Sequence, residues 1–163
     1  MTANSSRTTF KILVDADSCP VKDIIIEEAL GTATPVVMVA SISHRIVYED
    51  SGISVIIVDN VPQAADIAVL NNLAPGDIVV TGDYGLASVV LSKSATPLSP
   101  RGFVYTSDNI DRLLLQRHID AKIRRSGGRT KGPKALNAED KKQFRETLRR
   151  LLFLEPRKDN KQI

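Results

Sequence analysis

Four aspartates stand where they can do chemistry together. Asp15 and Asp17 close the apolar run that starts at Lys11, Asp83 follows the apolar run Asp77 to Thr81, and Asp66 falls in the first turns of a segment opened by Pro62. If these segments meet, four carboxylates share one small volume. Like charges a few ångströms apart repel, so such a cluster persists only with raised pKa values or with bound cations. Hard oxygen donors with room for water suit Mg2+ or Mn2+ better than zinc. A cation held there can polarise a phosphodiester, lower the pKa of a water and neutralise the charge that builds in an in-line displacement. Each acid also has a structural reading. Asp15, at the end of a buried run, has little reason to be acidic unless it is paired or liganded. Asp17 or Ser18 can cap the helix expected near Pro20, and Asp83 can cap the helix that follows it. Asp66 can belong to a solvated helix face, and Asp59 reads as loop.

The elements that must position these acids follow from patterning. Lys11 to Asp15, Pro35 to Ala40, Ile53 to Val58 and Asp77 to Thr81 are apolar, largely β-branched runs without polar alternation, as in strands covered on both faces of a parallel sheet. Between them, the spacing predicts a helix after Pro20 with Ile24, Ile25, Ala29 and Leu30 inward and Gly31 as a left-handed C-cap. A second helix runs from Pro62 to about Leu73 and ends at Pro75-Gly76, and a third follows Gly82-Asp83. The segment His44 to Asp50 is ambiguous. Pro100-Arg101-Gly102 is a turn with short extended pieces on either side. Ser107 or Asp108 can cap a helix to about Arg125. A Gly-rich basic loop spans Ser126 to Pro133, and Asn137 can cap a last helix carrying Phe144, Leu148, Leu151 and Leu152. The order β-α-β-β-α-β-α implies an α/β fold with a mostly parallel central sheet flanked by helices, followed by a helical, basic C-terminal part. Ligands of such sheets bind outside the carboxyl ends of the strands, where Asp15 and Asp83 lie.

At 163 residues the chain can bury one core, so we expect a single domain over 11–154, a disordered tail over 1–10 and a short tail over 155–163. Met1 to Thr9 has no apolar signal region and no run approaches membrane-spanning length, which points to a cytoplasmic protein without a membrane partner. The single Cys19 excludes an internal disulfide and, with only His44 and His118, a zinc cluster. At a helix start Cys19 could be a reactive thiol, but no partner supports that, and it reads as a small buried side chain. No Gly-x-Ser-x-Gly elbow, Walker loop or dinucleotide fingerprint is present.

Charge divides sharply. Residues 1–100 hold 5 Lys/Arg against 11 Asp/Glu, whereas 101–163 hold 17 against 8. An acidic site beside a basic region suits a polyanion approached through metal ions, although a basic helical face is often only solvated. Lys122 to Arg150 carries 11 basic and 3 acidic residues. Arg129 and Lys131, in the glycine loop, can follow a phosphate backbone without reading sequence. Arg101, in its turn, can meet a phosphate or pair with the aspartates. Aromatic residues are only 4% of the chain, so stacking platforms for unpaired bases are few.

With these residues in hand, the chain resembles the bacterial YaiI/YqxD family, whose members have a PIN-like nuclease fold. The resemblance runs from about Lys11 to Leu152: Val14-Asp15-Ala16-Asp17-Ser18-Cys19-Pro20, Ala65-Asp66, Gly76-Asp77-Ile78-Val79-Val80-Thr81-Gly82-Asp83, Pro100-Arg101-Gly102 with Tyr105-Thr106, and Ser126-Gly127-Gly128 leading to Gly132-Pro133. It implies a metal site at Asp15, Asp17, Asp66 and Asp83, and undefined roles for Ser18, Arg101 and Tyr105. Gln63 departs from the acid that the family often has before Ala-Ala-Asp66, and Ile67 from the acid or amide usual after it.

Three functions are consistent with this reading. The first is a Mg2+- or Mn2+-dependent nuclease acting on RNA, with Asp15, Asp17, Asp66 and Asp83 holding metal. The second is a non-catalytic RNA- or ribosome-associated protein using the basic third. The third is an aspartyl phosphatase, because Asp15-Ala16-Asp17 after an apolar strand resembles the haloacid-dehalogenase nucleophile motif. Against the third, Ser18 and Ser88 stand where that motif wants Thr or Val and a second acid.

Overall fold

Parallel strands covered on both faces need apolar side chains pointing both ways, and the central strand shows why. In the computed structural model, which describes residues 10–44, 46–130 and 134–153, strand β1 (Ile12–Asp15) sends Ile12 and Val14 to one face and Leu13 to the other, all fully buried. Strands β2 (Val36–Ser41) and β3 (Ile53–Val58) extend the sheet on one side of β1, and β4 (Ile78–Val80) and β5 (Thr96–Leu98) on the other. The order is β3-β2-β1-β4-β5 and every ladder is parallel. Pro97 cannot donate to a ladder, and β5 is accordingly an edge.

Helices cover both faces. Helix α1 (Lys22–Gly31) and helix α5 (Ala138–Phe153) bury Ile25, Ala29, Phe144, Leu148 and Leu152 against Ile12, Val14, Met38 and Val80. Helix α2 (Ala64–Asn71) and helix α3 (Tyr84–Ser92) place Val69, Leu86 and Val90 against Leu13, Val39 and Val79. Helix α4 (Ser107–Arg125) lies on α3, where Ile110 packs with Ala87 and Tyr105, and most of its length is exposed. The expected α/β fold with a parallel sheet is therefore present, and none of the described helices is long and apolar enough to cross a membrane.

Several local expectations change. Gly31 is the last residue of α1 and not a left-handed cap; the positive φ of 53° falls two residues on, at Ala33. Thr106, not Ser107 or Asp108, caps α4, through a reciprocal pair with Asn109. Asn137 does cap α5, accepting from Asp140 N at 2.8 Å. Gly102 has φ +92° and meets α5 so closely that a Cβ there would sit 2.6 Å from Phe144 N, while Thr147 Oγ1 donates to its carbonyl at 2.7 Å. The turn and the last helix are thus joined backbone to backbone. Of the tails expected over 1–10 and 155–163, residues 1–9 and 155–163 lie outside the described residues, as does residue 154.

Candidate functional site

A β-strand that runs out beside its parallel neighbour delivers the residues after both strands to one edge. Because β1 and β4 are neighbours and parallel, Asp15 and Asp83 emerge together, at the point where the strand order turns from one side of β1 to the other. They line a cavity of about 580 Å³. Asp17, from the 3-10 turn Ala16–Ser18, and Asp66, from the first turn of α2, line it too. All four predicted aspartates are therefore brought together.

Each is held differently. Asp17 does not cap α1, whose N-cap is Val21 with no side-chain bond; both of its oxygens accept from Ser41 N at the end of β2, at 3.0 and 3.2 Å. Asp83 is the N-cap of α3, accepting from Leu86 N at 3.1 Å, and its own N–H donates to Thr81 Oγ1. Asp15 is approached by the Ser18 hydroxyl at 3.4 Å. Burial, followed by the charge of Asp66, raises the pKa of Asp15, and the Asp17 and Asp83 charges add to it against the Ser18 bond. Burial and then Asp83 raise the pKa of Asp66. These are the marks of carboxylates packed together without enough positive charge.

The expected donors are hard oxygens, but among the described residues no three Asp, Glu, His or Cys side chains form a group able to hold an ion as they stand. The arrangement fits a hydrated Mg2+ or Mn2+, which keeps several waters and needs only one or two direct carboxylates. It does not fit a closed cage.

Other predicted residues divide. Ser18 touches the site through Asp15. Tyr105 is 1% exposed, so it meets no substrate; its hydroxyl donates to Thr81 O at 3.1 Å, two residues before Asp83, and burial pushes its pKa up to about 12. Arg101 stands away from the cavity, paired with Asp140 at 3.3 Å and donating to Lys134 O, so it takes the structural alternative, with a partner other than the strand-end acids. Arg129 is exposed in the loop after α4. Lys131 lies outside the described residues, as do Gly132 and Pro133. Cys19 is buried, with its thiol pushed up to about 11 by burial, which suits the packing role.

Three further residues stand at or beside the site, among them Asp59, which reads as loop from sequence. Arg117 of α4 lines the cavity, 3.7 Å from Asp83 Oδ1. Asp59, after β3, is a fifth acid on its wall. His44 places Nδ1 3.5 Å from Asp17 and 3.2 Å from Ser41 Oγ. Asp59 carried a readable signal, since it follows β3 at the same sheet edge; Arg117 and His44 carried none.

A family model described as the uncharacterized YaiI/YqxD family matches residues 13–154. The chain belongs to that family. Its YaiI/YqxD relatives include a UPF0178 protein of Bacillus cereus strain B4264, 46% identical over 145 residues that cover 88% of this chain and 99% of the relative. Another, from Bacillus cereus strain G9842, is 48% identical over 136 residues, covering 83% of this chain and 93% of its own length. A crystal structure of Rae1 (YacP) from Bacillus subtilis aligns over 86% of this chain and 96% of that one, at 22% identity and a TM-score of 0.38, too loosely to bear on activity.

Proposed function

We propose that this YaiI/YqxD protein is a divalent-metal-dependent nuclease that hydrolyses phosphodiester bonds of RNA. What supports the reading most is the convergence of Asp15, Asp17, Asp66 and Asp83, from four separate segments, on one cavity at the strand ends, with Asp15 and Asp66 both raised in pKa. Acids arranged at such a cost in repulsion have a use for cations. Mg2+ or Mn2+ bound by these side chains supplies charge neutralisation at the phosphate and a more acidic water.

The chain's own residues do the rest. Ser41 N and Leu86 N fix the Asp17 and Asp83 carboxylates, so these need no reorganisation when a ligand enters. Ser18 orients Asp15 from within the same turn. Arg117, at the rim beside Asp83, is placed to take a phosphate oxygen, and its fork geometry suits that partner. The basic stretch that begins on α4 follows the rest of the polyanion.

Cleavage of labelled RNA and DNA, with Mg2+, Mn2+ or a chelator, tests this directly. We expect RNA cleavage with metal, lost with the chelator and lowered about 100-fold or more in Asp15→Asn. Equal rates for the native protein and Asp15→Asn sink the proposal.

The basic last turn of α4, with Lys122, Arg124 and Arg125, favours a second reading, an RNA- or ribosome-associated binding protein without catalysis. In that case RNA binding falls steeply with salt and is unchanged in Asp15→Asn. The phosphatase reading separates in the same assay, through hydrolysis of a phosphate monoester in place of the diester.

A further inference from the structure

A smaller hollow of about 160 Å³ adjoins the acid cavity, lined by Tyr84, Leu113, Gln116, Arg117, Asp120 and Arg124. Its walls are the first residue of α3 and one face of α4. Two observations tie it to the acids. Arg117 lines both spaces, and the consecutive residues Asp83 and Tyr84 line one each.

The Tyr84 ring is held in place. It stands edge-to-face on the buried Tyr105 ring, with centroids 5.9 Å apart and planes at 64°, and Tyr105 is itself anchored on Thr81 O. Leu113 adds an apolar wall. Across the hollow, Gln116 Nε2 donates to Asp120 Oδ1 at 2.9 Å. That bond leaves the Gln116 carbonyl and the second Asp120 oxygen as acceptors. An aromatic surface, an acceptor edge and an arginine shared with the phosphate cavity are complementary to the three chemical parts of a nucleotide: ring face, ring N–H groups and phosphate.

We propose that this hollow is a base subsite, in which the base next to the held phosphate stacks on Tyr84, offers N–H groups to Gln116 and Asp120, and leaves its phosphate to Arg117. The proposal rests on the nucleic-acid reading above. The volume is well under the roughly 300–1,000 Å³ of pockets for drug-sized ligands, which limits the occupant to one ring system. The acceptor edge selects bases with adjacent N–H donors, of which guanine has the best-matched set.

Calorimetric titration of the metal-free full chain with guanosine 5′-monophosphate and with ribose 5-phosphate, which lacks the base, reads the subsite directly. The nucleotide is expected to bind about tenfold or more tightly than the sugar phosphate, the range that base–aromatic stacking supplies. Tyr84→Leu should bring the nucleotide down to the sugar phosphate's level without altering the latter, while Tyr84→Phe keeps the preference. If Tyr84→Leu does not fold, Asp120→Ala, on a half-exposed helix position, carries the test by lowering the ratio several-fold. Equal affinities in the native protein, no nucleotide binding, or equal weakening of both ligands in Tyr84→Leu overturns the proposal. Base-selective binding without any RNA cleavage retires the nuclease reading and leaves the subsite; cleavage without base preference does the reverse.

Discussion

Two groups of acids in this molecule face opposite circumstances. Glu27 and Glu28, on α1, meet Arg145 and Arg149 of α5: Glu28 accepts from Arg145 Nη1 at 2.8 Å and from Arg149 at 2.7 and 3.0 Å, and Glu27 accepts from Arg145 at 2.6 Å. The Arg149 bond, ahead of the others, holds the Glu28 carboxyl below its usual range. At the strand ends, Asp15 and Asp66 are raised, and the one cation on the described cavity wall, Arg117, is 3.7 Å from Asp83. Asp77, at the opposite end of β4, again has its partners, with Lys11 Nζ at 2.6 Å and backbone donors from Lys11 and Ala74. Among the described residues, cations stand close beside the acids that serve the fold and are sparse at this one edge. Carboxylates left short of positive charge mark the place where charge arrives from outside.

The comparison can be broken in several ways, beginning with the largest effect. Glu28→Ala should destabilise the fold by about 2 kcal/mol, below the range for fully buried pairs because Arg149 is half exposed and can rehydrate. The measure is the urea midpoint at unchanged slope. Asp15→Asn should do the opposite in the metal-free protein at neutral pH, stabilising it by about 1 kcal/mol in thermal unfolding, since it removes a charge that its surroundings disfavour. Added Mn2+ should then raise the melting temperature of the native chain and not of this variant.

Acidity sharpens the contrast. Glu28, with a lowered folded pKa, contributes stability present above its unfolded value of 4.5 and lost as pH falls through the folded value. Asp15 and Asp66, with raised folded pKa values, contribute stability that is complete below 3.8 and lost as pH rises through their folded values. Urea midpoints across pH should therefore show an acid-side gain that shrinks in Asp15→Asn to the share Asp66 contributes, and an acid-side loss that vanishes in Glu28→Gln. Least of all, Arg117→Ala should change stability by no more than about 0.5 kcal/mol, because its pair with Asp83 is exposed. A larger loss there would make Arg117 a structural partner and blur the distinction.

Much of this was legible in residue patterns, and the exceptions have physical causes. Unbroken β-branched runs announce strands covered on both faces, and parallel neighbours bring strand-end acids together, so the meeting of Asp15 and Asp83 followed from chain order. Asp17 was ambiguous because a cap and a long-range acceptor have the same residue type; only the approach of Ser41 N decides between them. Arg117 was hidden among the many bases after residue 100, since nothing along the chain says which helix face turns to Asp83. Arg101 was recognisable as special, but its partner Asp140 lies 39 residues on, across a loop whose path cannot be read from composition. The shift of the α4 cap by one residue to Thr106 reflects competition between adjacent hydroxyls and acids that all cap well.

Gly102 and the helix clamped onto it also bear on how the chain is made. Because Phe144, Leu148 and Leu152 share with α1 the covering of the sheet face to which Ile12 and Val14 of the first strand point, the part that α1 leaves open stays bare during translation until α5 has left the exit tunnel. The strands and helices made before it must wait, partly unsealed, for Ala138–Phe153. A newborn chain stalled before α5 should therefore be a client for holding chaperones, whereas one released just after it should already be closed.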